Sequence, residues 1–420
     1  MQRKLAFEHT PAMALPLRFL LVAPWFGALA GMLLVWQGAE AMSTRWAPVT
    51  LAVTHLLTLG FLGMAMAGSL LQMVPVVAGV ELRWARTLGP IIWAALAGGA
   101  LLLAAGFLHG LPWCLRAAGL LLAGAFLLLV AVLARALSQR SAPNALPVVA
   151  GMRQAVAALA CAVAIGIALA AFLTGALPLR VMEWTNVHAA WALVGWVGVL
   201  VVSVVFQVVP MFQSTQLFPR QLAFVLPPLC LGGLALWTVG YLLDRQWQWL
   251  GAGLVSICLA VFAVYTLVLL VRRKRAADVS TWYWWLSLGS LLACVAVYLC
   301  PRGVEKSVVL GVLFIGGFAM SAVNGMLYKI VPFLLWYHGQ HAGCNVPGVR
   351  QLMPDSEPRV QFAWHAASVL LLLLAAAVAP GWLAQLAGAV LAVACMRLGF
   401  DLALAAFSLR KLVSGQYPES

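Results

Sequence analysis

Residues 54–79 read THLLTLGFLGMAMAGSLLQMVPVVAG, and two later stretches, Val187 to Pro210 and Val312 to Pro332, repeat this framework at the same distances from a proline. Fifteen residues before Pro75, Pro210 and Pro332 stand Gly60, Gly195 and Gly317, and seven before stand Gly68, Ser203 and Gly325. Three before the proline stand Gln72, Gln207 and Lys329. Elsewhere each stretch is apolar and reaches the ~20 residues a helix needs to cross a hydrocarbon core of about 30 Å. One helix design, with small residues and a polar position near its end, thus occurs three times, and a repeat of this kind decides how the remaining chain is read.

With 64% hydrophobic and 9% charged residues and a mean hydropathy of +1.01, the chain is not a soluble domain, where about 25% of residues are charged. Twelve apolar spans are expected, centred near Phe26, Met66, Gly99, Phe126, Ile165, Val199, Gly232, Leu259, Leu288, Met320, Leu371 and Val393. The fold class is therefore an all-α polytopic membrane protein with twelve transmembrane helices. If spans 2, 6 and 10 are equivalent, a single membrane domain divides into three pseudo-equivalent four-helix units, approximately residues 1–140, 141–276 and 277–420. The polar stretches Ser138 to Leu146 and Arg272 to Ser280 are the breaks between them.

The basic residues set the orientation. Arg3, Lys4, Arg18, Arg83, Arg86, Arg135, Arg153, Arg220, the run Arg272 to Arg275, Arg350, Arg359, Arg410 and Lys411 all fall on one side. The opposite loops hold Arg45, Arg116, Arg180, Arg245, Arg302 and Lys306. By the positive-inside rule the first side is cytoplasmic, so both termini are expected inside. The net charge of +14 is then a topology signal that implies membrane lipids with anionic headgroups as neighbours, and it gives no reason to invoke nucleic acid. The first apolar stretch is long and lacks a small-residue cleavage site, so it is read as a retained helix. Eight cysteines stand singly with no Cys-x-x-Cys pair, which argues against a disulfide framework or a structural zinc site.

Histidines carry the chemical signal. His55 and His188 lie in the outer thirds of repeat helices 2 and 6, twenty and twenty-two residues before the repeat proline. An imidazole at that depth is costly unless bonded, and haem is the flat, apolar cofactor that histidines hold between membrane helices. The plainer reading is a histidine satisfied by a neighbouring carbonyl. A second group, His338 and His341 with Cys344 and His365 opening span 11, offers nitrogen and sulfur to copper or zinc, against the plainer reading of an interfacial loop. Arg397 and Asp401, four apart on span 12, read as a neutralising pair. Lys329 reads as a side chain reaching the cytoplasmic interface. With Asp401 the one acid clearly inside a span, the sequence shows no carboxylate relay.

Twelve spans in three units, with histidines on the outer ends of helices 2 and 6, resemble heme-copper oxidase subunit I. The run His55, Gly60, Phe61, Ala67, Gly68, Leu70, Val74, Pro75, Gly79 is similar to the helix-2 signature of NnrS-type proteins, and His188, Gly195 and Gly198 resemble their histidine and paired-glycine helix. This resemblance implies a bacterial inner-membrane protein holding haem b, with copper as a second metal, and acting in nitric oxide or respiratory metabolism with a redox partner or nitric oxide itself. If it is an enzyme, it is a haem-dependent oxidoreductase. The sequence departs from the oxidases in that Phe224 to Leu243 and Glu305 to Met320 contain no histidine, so an oxygen-reducing haem and copper centre is not assembled. The His-Thr-Gly-Arg run of NnrS is also missing. The rival reading is a transporter or a metal or cofactor-delivery protein using the bundle as a pathway.

Overall fold

The computed structural model describes residues 6–416 except 144, 244, 245, 301–305, 379 and 380, with side chains to Leu409. Arg3, Lys4, Arg245, Arg302 and the side chains of Arg410 and Lys411 therefore lie outside the described residues. Helices are the regular structure of the described residues, and twelve are long and apolar enough to cross a membrane. They are α1 (Ala14–Ser43), α2 (Pro48–Ala78), α3 (Ala85–His109), α4 (Pro112–Leu137), α5 (Leu146–Leu173) and α6 (Val181–Gln213). There follow α7 (Arg220–Leu242), α8 (Gln248–Val271), α9 (Val279–Leu299), α10 (Ser307–His341), α11 (Ser356–Val378) and α12 (Gly381–Gln416). Every expected span centre falls inside one of them.

Local chemistry marks the helix ends. Proline opens α2, α4 and α5, where its missing N–H has no intrahelical partner to lose. At the start of α9, Asp278 Oδ1 accepts the Thr281 N–H at 3.0 Å, a side-chain cap for an otherwise orphaned donor. Gly110 ends α3 with φ +60°, a left-handed turn that a glycine adopts without a Cβ clash.

The three repeat helices share a feature that composition does not show. Each contains a π-helical segment: Leu56–Gly63 in α2, Trp191–Gly198 in α6 and Val312–Met320 in α10. Gly63, Gly198 and Met320 stand twelve residues before Pro75, Pro210 and Pro332 respectively, so the wide turns end at one place in the repeat. A π turn is rare and leaves its carbonyls in a looser register, which is why it recurs at functional sites.

The small residues of the repeat are where the preceding helix approaches. A Cβ on Gly68 would lie 2.7 Å from Phe19 Cβ on α1, and one on Gly325 would lie 2.7 Å from Tyr283 Cβ on α9. At the equivalent place in α6 the small residue is on the partner: a Cβ on Gly151 of α5 would meet Ser203 Oγ at 2.2 Å. One turn-pair outward, Gly60 faces Phe26 and Gly195 faces Ala158, each seven residues beyond Phe19 and Gly151. Position seven before the proline is thus a close-packing point against α1, α5 and α9 in turn.

The chain forms two compact parts. The first comprises Met1–Pro11, Ser69–Ala276 and Leu288–Gly303; the second comprises Ala12–Gly68, Ala277–Ser287 and Val304–Ser420. In the first, α7 and α8 meet at glycines, with Gly251 against the Trp237 backbone and Gly240 against Gln248. In the second, α1 lies along α12, where Gly31 meets Ala392, Gly38 meets Ala384 and Gly388 meets Leu34. Large apolar side chains such as Leu120, Leu127 and Val271 are exposed, the outer surface a helical bundle presents to lipid.

Candidate functional site

His55 is the last residue of α2 before its π segment, and His188 lies three residues before the π segment of α6. The Nδ1 of His55 is 2.8 Å from the Leu51 carbonyl, one turn back on its own helix. The Nδ1 of His188 is 3.0 Å from the Ala162 carbonyl on α5. A carbonyl only accepts, so the Nδ1 of each ring is the donor in its bond. This is how second-shell bonds fix the tautomer and direction of an imidazole that binds a metal. Space is provided as well: a Cβ on Gly166 would lie 2.9 Å from His188 Cε1, so the imidazole occupies room that any larger residue there would take. Both rings are partly buried. His55 belongs to the second compact part and His188 to the first.

The other candidate ligands separate. His338 and His341 share the last turns of α10, with the His341 ring 4.0 Å from that of Tyr337 and its Nδ1 bonded to the Tyr337 carbonyl at 2.9 Å. Cys344 is buried just beyond, its sulfur 4.0 Å from the Ala342 carbonyl. His365 is elsewhere. It sits nine residues into α11 and is 1% exposed, with Nε2 2.8 Å from Ser321 Oγ on α10. Ser321 and His341 lie twenty residues apart on one helix, about 30 Å at 1.5 Å per residue. Among the described residues no three His, Cys, Asp or Glu side chains converge as a metal set.

What the sequence did not display is a buried polar column in the second compact part. Tyr283 of α9 donates its hydroxyl proton to Gln361 Oε1 on α11, and Gln361 Nε2 donates to the Ala394 carbonyl of α12 at 3.1 Å. Tyr328 of α10 donates to Asp401 Oδ2 of α12 at 2.7 Å. Arg397 Nε lies 2.9 Å from Asp401 Oδ1, the expected pair, and its Nη2 also pairs with Glu357 on α11. Nearer the helix ends, Lys329 Nζ meets Asp278 Oδ2 at 2.6 Å, so the lysine ends on a partner rather than in solvent. Asn324 is 0% exposed, and neither its side-chain oxygen nor its nitrogen has a hydrogen-bond partner. Polar groups this deep are expensive unless paired, which makes such a column a functional candidate by default.

The signal that could have revealed the column is periodic. Ser321, Asn324 and Tyr328 follow the i, i+3, i+7 stripe of one helix face, and Gln361, His365 and Ser368 follow i, i+4, i+7 on the next helix. No protein-family model and no curated protein sequence matches the chain.

Proposed function

We propose that the chain is a haem-binding inner-membrane protein of the oxidase-like and NnrS-like type, with His55 and His188 as haem ligands. The observation that carries this reading is the Nδ1–H anchoring of both imidazoles, beside π segments that end at one repeat position. Each histidine by itself fits the group: an imidazole anchored at Nδ1, with Nε2 as the nitrogen that would ligate iron, on an apolar helix. Haem b, when bound, would supply a redox-active iron able to pass electrons or to bind nitric oxide. The protein's own part is to hold each ring by a backbone carbonyl, to leave space at Gly166, and to keep water away with the apolar faces of α2 and α6. Copper has weaker support, since His338, His341 and His365 do not come together.

The same reading takes the architecture as three four-helix units, α1 to α4, α5 to α8 and α9 to α12. It is supported by the equal π offsets and by the recurring contact of the residue seven before the proline with the first helix of each unit. The basic-residue bias supports an orientation with both termini cytoplasmic, and the resemblance to NnrS-type proteins is what implies a bacterial inner membrane.

The test is substitution with a haem readout. His55→Ala and His188→Ala should each lower the haem retained per protein or change its absorption spectrum, and Gly166→Leu should act like His188→Ala by evicting the ring. If all three variants keep the wild-type spectrum and haem content, the ligand assignment is wrong.

A further inference from the structure

We propose that Asp401 is a proton-binding site inside the membrane, coupled through Arg397 to the more exposed carboxylate Glu357 and hydrogen-bonded by Tyr328 of α10. The site uses neither His55 nor His188, so it stands apart from the haem reading.

Its basis is one guanidinium between two carboxylates of unequal exposure. The Asp401 side chain is 3% exposed, whereas those of Arg397 and Glu357 are 39% and 36% exposed. Arg397 pairs with both, so with both carboxylates ionised the trio carries one net negative charge, and its buried member is Asp401. An uncompensated charge in that setting is costly, and a proton on Asp401 removes it. Among the described residues, Arg397 is the cation paired with Asp401. From α9 comes Tyr283, and from α10 come Tyr328 and Lys329, the latter engaged by Asp278. From α11 come Glu357 and, further along, His365; α1 runs antiparallel to α12 with Trp25 beside Phe400, and it carries Arg18, whose Nε is bonded to the Ala14 carbonyl of its own helix.

The chemistry is a simple proton uptake. A proton entering past Glu357 bonds to a carboxylate oxygen of Asp401, giving a neutral acid and leaving Arg397 to Glu357. On release, the carboxylate re-forms and recovers its share of the guanidinium. The trio is thus a two-state element whose balance is set by one proton.

Beside the carboxylate lies the polar face of α10. Tyr328 donates to Asp401 Oδ2 at 2.7 Å, and Asn324 lies one turn away at i−4, fully buried with donor and acceptor both unpartnered. Such an amide is suited to hold a water molecule by two bonds. Tyr328 keeps its own proton throughout and steadies the carboxylate as a hydrogen-bond donor.

Infrared difference spectroscopy of the purified full chain in lipid, recorded while the pH is changed, tests this directly. The wild type should show a protonated-carboxyl band that grows on acidification, shifts in heavy water and is lost in Asp401→Asn. Glu357→Gln gives Arg397 wholly to Asp401 and should lower the midpoint of that band by about one pH unit. Tyr328→Phe removes a donor to the carboxylate and should raise it. A purely structural ion trio would give no titrating band assignable to Asp401 while the protein stays folded, or a midpoint indifferent to Glu357→Gln. Each of those results overturns the proposal.

Discussion

Asp278 shows how one residue serves local and tertiary structure together. It caps α9 by accepting from Thr281 N–H and Ser280 Oγ, and it receives Lys329 from α10. Burial alone would raise its carboxyl, but the hydrogen bond and charge of Lys329, helped by Ser280 and Thr281, bring it below the ordinary carboxylate value. A carboxyl depressed in the folded state contributes stability above its unfolded value, about 4, and loses it as the pH falls through the folded value. Asp278→Asn keeps the cap oxygen and removes the ion pair. It should therefore cost roughly 0.5–1 kcal/mol at neutral pH, the pair being about 30% exposed. Thermal unfolding should show the gap to wild type closing as the pH drops below about 4; a gap that widens on acidification would contradict the assignment. The partnership was not legible in the sequence, since Asp278 and Lys329 are far apart in the chain and Lys329 alone reads as an interfacial lysine.

At the scale of the element, the small residues of the repeat decide how closely helices approach. Gly68→Ala would place a methyl 2.7 Å from Phe19 Cβ, while Gly124→Ala would meet nothing within 4 Å. The first should destabilise by about 1–3 kcal/mol through overpacking, and the second should be neutral or slightly favourable, alanine being the better helix former. Melting temperatures measured in one detergent compare them, and equal effects would mean that Gly68 is not a packing point. The glycine spacing was visible in the sequence because it recurs, but the π segments were not, since an i→i+5 register leaves no compositional mark. Hydropathy also misplaced His365 in the helix. It reads as the opening of span 11, whereas α11 starts at Ser356 with two polar turns that an apolar-run criterion does not count.

For the whole molecule, the twelve spans were legible because apolar runs of membrane length have few alternatives. The two compact parts were not, because α2 and α9 each contribute to both, and no break in composition marks Gly68 or Ser287. Orientation rests on charge bias and has its own test. In a background without native cysteines, Ala142→Cys should react with an impermeant thiol reagent only after the membrane is opened, while Ala176→Cys should react from outside. The reverse pattern would invert the topology. The functional account depends above all on the cofactor, for which the anchored imidazoles of His55 and His188 supply the argument. The most direct measurement is a pyridine haemochrome assay on the protein purified from haem-replete cells. Haem b should be present and should be lost or diminished when His55 and His188 are both replaced by alanine; a colourless wild-type preparation with a negative assay would contradict the account.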